Sequence, residues 1–271
     1  MERSRRVAFA IAAHPDDIEF MMAGTLILLG GAGYELHYMN VANGSCGTAT
    51  LSLEEIVAIR TEEAKAATRL IGAVYHPGFV NDIDIFYEKS LLAQVGAVIR
   101  QVNPTVVLAP SPQDYMEDHA ITSRLVVSAT FCRTMRNFPT VPPTDPVADD
   151  VAIYHALPYG LRDGLRRRVC AGHYVDITSV MDLKREMLAT HKSQKEWLDR
   201  SQGLDAYLTT MEDMCREVGT MSGRFQCAEG WRRHSHLGFS GPDFDPLTQA
   251  LGDRVIIDRD YERELKGPFA T

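Results

Sequence analysis

The 271-residue sequence contains no CxxC pair, no excess of basic residues and no apolar run close to the ~18 residues that span a bilayer. Its five cysteines, Cys46, Cys132, Cys170, Cys215 and Cys227, are odd in number and scattered. A disulfide framework or a thiolate zinc site is therefore not expected, and a reducing, cytoplasmic setting is. With 28 basic against 36 acidic residues the formal net charge is −8, which argues against a nucleic-acid binder. No GxGxxG follows a strand, because the glycines at Gly30, Gly31 and Gly33 come after a helix, so no dinucleotide site is expected. The opening MERSRRVAFAIAA imitates a signal peptide only faintly. Its short apolar run leads directly into His14-Pro15-Asp16-Asp17, a polar cluster that cleavage would strand at a terminus.

What is present is a globular composition, 45% apolar and 24% charged, in a chain long enough to build a core without staples. Arg6–Ala13 is a short, small-residue apolar run suited to a buried parallel strand. Ile18–Gly30 reads as a helix closed by glycines, and Tyr34–Ala42 as a second strand. Ser52 is placed to cap a long helix from Leu53 to Ile71. Val74–His76, Thr105–Ala109, Val151–Ala156 and Tyr174–Ile177 are strand-like. Leu91–Gln101 and Asp118–Arg133 are helical, and a charged helical stretch runs from Val180 towards Val218. Alternation of strand and helix predicts an α/β, Rossmann-like fold: a mostly parallel sheet with helices on both faces, in one domain spanning 1–271. The Pro-rich stretch Pro139–Pro146 reads as an excursion within that domain.

Two clusters sit at strand ends, where open α/β sheets bind ligands. His14, Asp16 and Asp17 follow the first strand; Asp114, Tyr115, Asp118 and His119 follow the fourth. If the two strands are neighbours at the switch point, His14, Asp17 and His119 converge. Two histidines and a carboxylate with an open position suit catalytic zinc first, although another divalent ion also fits. Asp16 is then free to act on water as a general base. The plainer alternative is an ordinary loop in which Asp17 caps the next helix.

These residues resemble the PIG-L/LmbE-like family of zinc-dependent deacetylases. Ala13-His14-Pro15-Asp16-Asp17 matches its AHPDD signature. Asn43-Gly44 resembles its glycine turn, Arg60–Glu63 its RxxE helix, His191–Gln194 its HxSQ segment, and Ala228-Glu229-Gly230 its late AEG block. The resemblance implies a Rossmann-like fold without a dinucleotide. It also implies Zn2+ held by His14, Asp17 and His119, Asp16 as general base, and Arg60, Asp82 and Asn43 near substrate. The implied reaction removes an N-acetyl or N-acyl group from a small-molecule or glycan amino sugar of the N-acetylglucosamine type, in a possible homo-oligomer.

The sequence departs from the family at one point. The second metal motif, HPDH in the family, reads Met116-Glu117-Asp118-His119 here. A thioether has no proton to give and accepts weakly, so Met116 cannot stabilise an oxyanion or protonate a leaving amine. The expected replacement is His236 or His234, from the same or a neighbouring subunit, oriented in part by Asp118; Tyr115 is the runner-up. His155 and His191 read as structural, the latter beside a helix cap at Ser193. Competing readings are an amidase for a larger acyl group and a sugar- or nucleotide-binding protein without catalysis.

Overall fold

The structure, a computed structural model, describes residues 5–195 and 206–266. One mixed sheet of eight strands runs through them: β1 (Val7–Ala12), β2 (Glu35–Asn40), β3 (Val74–His76), β4 (Val106–Ala109), β5 (Ala152–Ala156), β6 (His173–Asp176), β7 (Ala228–Arg233) and β8 (Val255–Ile257). Their spatial order is β3-β2-β1-β4-β5-β7-β6-β8. The first five strands pair parallel among themselves, and β7, β6 and β8 are added antiparallel beyond β5. The strands after the Pro-rich stretch therefore extend the same sheet, as expected.

The helices are α1 (Asp17–Met21), α2 (Ala23–Gly31), α3 (Leu53–Ile71), α4 (Lys89–Val102), α5 (Glu117–Phe131), α6 (Met181–Ala189), α7 (Ala206–Met221), α8 (Pro246–Leu251) and α9 (Arg259–Lys266). Alternation along β1 explains the layers. Ala8, Ala10 and Ala12 join a core with residues of α2, α6 and α7, whereas Val7, Phe9 and Ile11 join one with α4 and α5. The small alanines let the first layer approach the sheet closely. No helix among the described residues is long and apolar enough to cross a membrane.

Local chemistry sets the boundaries. Ser52 accepts from Glu55 N while the Glu55 side chain returns to Ser52 N, a full capping box, so α3 begins as expected. The single helix expected over Ile18–Gly30 is broken at Met22, where φ is −135°. The cause lies more than 200 residues downstream in sequence, 205 from Gly24 and 204 from Thr25. The Glu229 carboxylate accepts from Gly24 N at 2.8 Å and Thr25 N at 2.7 Å, so α2 starts afresh against a buried negative charge. Lys184, fully buried, balances that charge at 2.5 Å. The late AEG block is thus a packing hub. The helical stretch expected from Val180 towards Val218 comprises α6, residues 192–195 and α7; its segment 196–205 lies outside the described residues. Ser193 does not act as the expected cap: its N–H and hydroxyl both donate to the Glu63 carboxylate, tying this segment to α3.

Candidate active site

The order β2-β1-β4 puts the switch point of the sheet between β1 and β4, whose C-terminal ends lead to His14 and to Asp114–His119 respectively. A cavity of about 420 Å³ opens there, with Phe20, Met21, Tyr115 and Tyr159 among its walls. At its base one ligand atom from each of His14, Asp17 and His119 lies within 4.8 Å of the others. Asp17 Oδ1 is 3.4 Å from His119 Nε2, and Asp17 Oδ2 is 3.5 Å from His14 Nδ1.

The outer nitrogens of both rings are committed to carboxylates. His14 Nε2 donates to Asp118 Oδ2 at 2.9 Å, and His119 Nδ1 donates to Asp114 Oδ1 at 3.1 Å. Such carboxylate–imidazole pairs fix the tautomer and aim the inner nitrogen at a metal. Burial works against charging these rings, yet the surrounding carboxylates win. His14 is raised to about 9, and His119 is raised well above its ordinary value. Asp17, which burial alone would push up, is held well below the carboxylate range by the two imidazoles. A centre that gathers protons so strongly in a buried place is chemically fitted to a cation, and its donor set suits a divalent ion.

Asp16 points elsewhere. Tyr207 Oη donates to its Oδ2 at 2.7 Å, and Arg60 Nη2 stands 3.5 Å from its Oδ1. Burial raises its pKa, and Arg60 opposes that rise. Asp16 lines the same cavity as the cluster but lies outside the ligand set.

Several expected residues have different work. Arg60 lines the cavity but is buried, with its two terminal nitrogens engaged by Pro15 O, Gly44 O and Asp16, so it braces the His14–Asp17 turn. Gly44 has φ +81°, and a Cβ there would lie 2.6 Å from Arg60 Cδ, which explains the glycine in this turn. Asp82 lines the cavity while its carboxylate accepts from Gly44 N and Cys46 N. Asn43 does not reach the cavity. It bonds Asn81 and Ser45 N and shapes the loop.

Asp118 does not orient a C-terminal histidine; it holds His14 and the Ile83 N–H. Nor do His234 and His236 of the same chain enter this cavity. β7 runs antiparallel to β5, with Arg233 opposite Tyr154, and His234 N donates to Ile153 O. The chain therefore moves towards the N-terminal end of β5, away from the strand ends that carry the site. His234 instead bonds His155, and the His236 carbonyl closes a turn with Phe239 and Ser240. Tyr115 does line the cavity, edge-on to His119 with ring centroids 5.8 Å apart. Burial raises its pKa, so it keeps its proton. His191 is buried 3.5 Å from Glu19, consistent with a structural place. Sequence reasoning gave Asp114 no role and missed Tyr207. Asp114 follows the fourth strand, five residues before His119, a detectable signal; nothing in sequence links Tyr207 to Asp16.

Comparison with known proteins agrees with this geometry. Residues 9–130 match the family described as PIG-L, GlcNAc-PI de-N-acetylase. The chain is 27% identical over 194 residues to a diacetylchitobiose deacetylase of Thermococcus kodakarensis, covering 68% of each chain. It is also 24% identical over 192 residues to a 4-oxalmesaconate hydratase of Pseudomonas putida, covering 68% of this chain and 72% of that one. The N,N′-diacetylchitobiose deacetylase structure from Pyrococcus horikoshii superposes with a TM-score of 0.73 at 24% identity, covering 89% of this chain and 88% of the other, and so shares the fold. Over that matched segment, which holds the AHPDD turn and both clusters at the switch point, the chain is similar to the PIG-L family.

Proposed function

We propose that this protein is a zinc-dependent hydrolase that removes an N-acetyl group from an amino sugar of the N-acetylglucosamine type or its conjugate. The observation that carries the reading is Asp16: a buried carboxylate in the cavity of the His14–Asp17–His119 cluster, outside the ligand set and held by Tyr207 and Arg60. A divalent ion held by His14, Asp17 and His119 supplies Lewis acidity and lowers the pKa of water in the site towards ~7. Asp16 takes the proton as water attacks the acyl carbonyl, then returns it to the departing amine. One carboxylate thereby serves both transfers, which accommodates Met116. Tyr115, neutral and on the cavity wall, is the candidate donor to the tetrahedral oxyanion. The aromatic rings of Tyr115, Tyr159 and Phe20 offer faces for a pyranose.

A second reading, addition of water across a carbon–carbon double bond of an unsaturated dicarboxylate, draws on one observation: hydration has no leaving amine, so Met116 costs it nothing. Against it, Arg60 is the one Arg or Lys among the described lining residues, and its guanidinium is already engaged. Acetate release from N-acetylglucosamine and N,N′-diacetylchitobiose, by zinc-loaded wild type and Asp16→Asn, tests the proposal. Asp16→Asn is expected to retain zinc and lose roughly two to four powers of ten in rate. Zinc-loaded wild type that released no acyl group from any N-acyl amino sugar would overturn it.

A further inference from the structure

A second cavity, of about 630 Å³, lies between α5, the loop 110–116 and β7, and shares no lining residue with the catalytic one. Its volume falls in the range of small-molecule sites, roughly 300–1,000 Å³. On a chain of net charge −8 its described lining includes Arg124, Arg232 and Arg233 with His155 and His234, and no Asp or Glu. Such a local reversal of sign concentrates anions against the overall charge.

The arginines are short of counter-ions. Arg232 donates to two neutral acceptors, Gln113 Oε1 at 2.6 Å and Ser111 Oγ at 2.7 Å, and its buried Nε has no hydrogen-bond partner among the described residues. Burial depresses its pKa, as expected of a guanidinium without a carboxylate beside it. Arg124, exposed on α5, has no hydrogen bond or ion pair among the described residues. Arg233 follows Arg232 along β7, so its side chain takes the opposite face of the sheet, with its guanidinium 3.7 Å from Asp245. The histidines form a directed pair. His155 Nδ1 donates to Pro110 O at 2.9 Å, so its Nε2 accepts from His234 Nδ1 at 3.1 Å. That leaves Nε2 as the uncommitted nitrogen of His234. Tyr87, Val127 and Tyr261 supply an apolar wall for the body of a ligand.

We propose that this cavity is a second ligand site, distinct from the catalytic one, for a small phosphomonoester. The Arg124 and Arg232 guanidinium groups, with a histidine beside them, match the many acceptor positions of a tetrahedral phosphate, whereas one fork satisfies a carboxylate. His234 Nε2 is then the acceptor for the P–OH proton of a phosphomonoester monoanion.

Calorimetric titration of the zinc-loaded full chain with glucose 6-phosphate tests this, with gluconate as the carboxylate control. The expected result is submillimolar binding of the phosphate ester and gluconate weaker by about tenfold or more. Arg124→Gln should weaken the phosphate ester by about tenfold, whereas Arg233→Gln, on the opposite face, should leave its affinity unchanged. Arg232→Gln should weaken it further; because that change also frees Ser111 and Gln113, the exposed Arg124→Gln is the deciding variant. Unchanged affinity in Arg124→Gln would put the phosphate elsewhere, the metal cluster included, and overturn the proposal. Absence of binding, or gluconate as tight as the phosphate ester, would overturn it equally.

Discussion

Removing the Asp118 carboxylate separates two accounts of this residue. Asp118 Oδ2 accepts from His14 Nε2 at 2.9 Å and from Ile83 N at 2.8 Å, and the side chain is almost wholly buried. If it orients His14, Asp118→Ala leaves the imidazole free to rotate and removes the charge that raises its basicity. Loss of such a partner lowers metal affinity by about 10–100-fold, or about 1.4–2.7 kcal/mol. Two buried donors also lose their acceptor, at a cost of about 1–3 kcal/mol each to folding. Asp118→Asn keeps an acceptor oxygen and should recover most of the folding loss while recovering only part of the metal affinity. Competition against a chromophoric chelator gives the zinc Kd, and urea unfolding gives the stability. With saturating zinc, kcat should return to near the wild-type value. If zinc affinity were unchanged while kcat at saturating zinc fell by 100-fold or more, Asp118 would be acting on the reaction itself and the orienting argument would be refuted.

Three further outcomes are expected. Tyr207→Phe removes the hydroxyl that holds Asp16 and should lower kcat by about 10–100-fold with zinc content and KM unchanged; an unaltered kcat would leave Asp16 positioned by Arg60 alone. Tyr115→Phe should lower kcat by about 100-fold with metal retained, and a normal turnover would remove it as the oxyanion donor. For pH, burial lowers His155 to about 4 against 6.5 in the unfolded chain, so the unfolded state binds more protons between those values and stability falls as pH drops through them. From pH 7 to pH 5 the loss is about 2 kcal/mol. His14, raised to about 9, acts in the opposite sense near pH 7, where the folded state binds more protons, and its contribution levels off below about 6.5. Urea unfolding of His155→Gln should show a correspondingly flatter pH dependence, and an unchanged slope would count against a neutral buried ring.

What the sequence made legible was local. Strand β1, the capped helix α3 and the cluster at His14–Asp17 announce themselves through short-range patterns: a small apolar run, a capping box, and titratable residues at a strand end. The convergence of His119 with that cluster also followed, because an alternating β/α pattern restricts which strand ends meet. The failures were long-range. Met22 breaks a helix on account of Glu229, and Tyr207 reaches Asp16 from a helix whose sequence carries no sign of it. β7 was concealed because its charges disguise a strand: Glu229 is buried with Lys184, and Arg232 bonds Ser111 and Gln113. Missing that strand also misplaced His234 and His236, since its antiparallel direction decides which end of the sheet they approach.

The backbone at Asp16 connects the fold to the proposed chemistry. Asp16 has φ 105°, a left-handed conformation that costs a non-glycine residue about 1–3 kcal/mol. It persists because the turn is held from several sides: Asn40 Nδ2 donates to His14 O at 2.6 Å, Arg60 donates to Pro15 O, and His14 N donates to Asp17 Oδ2 at 2.8 Å. The reversed φ lets consecutive carboxylates diverge. Asp17 turns to the two imidazoles while Asp16 turns to Tyr207 and Arg60 within the same cavity. A ligand and a base can then be adjacent in sequence without competing for one cation. In the proposed reaction that separation matters more with Met116 unable to carry a proton, since Asp16 would then have to accept a proton from water and deliver it to the amine.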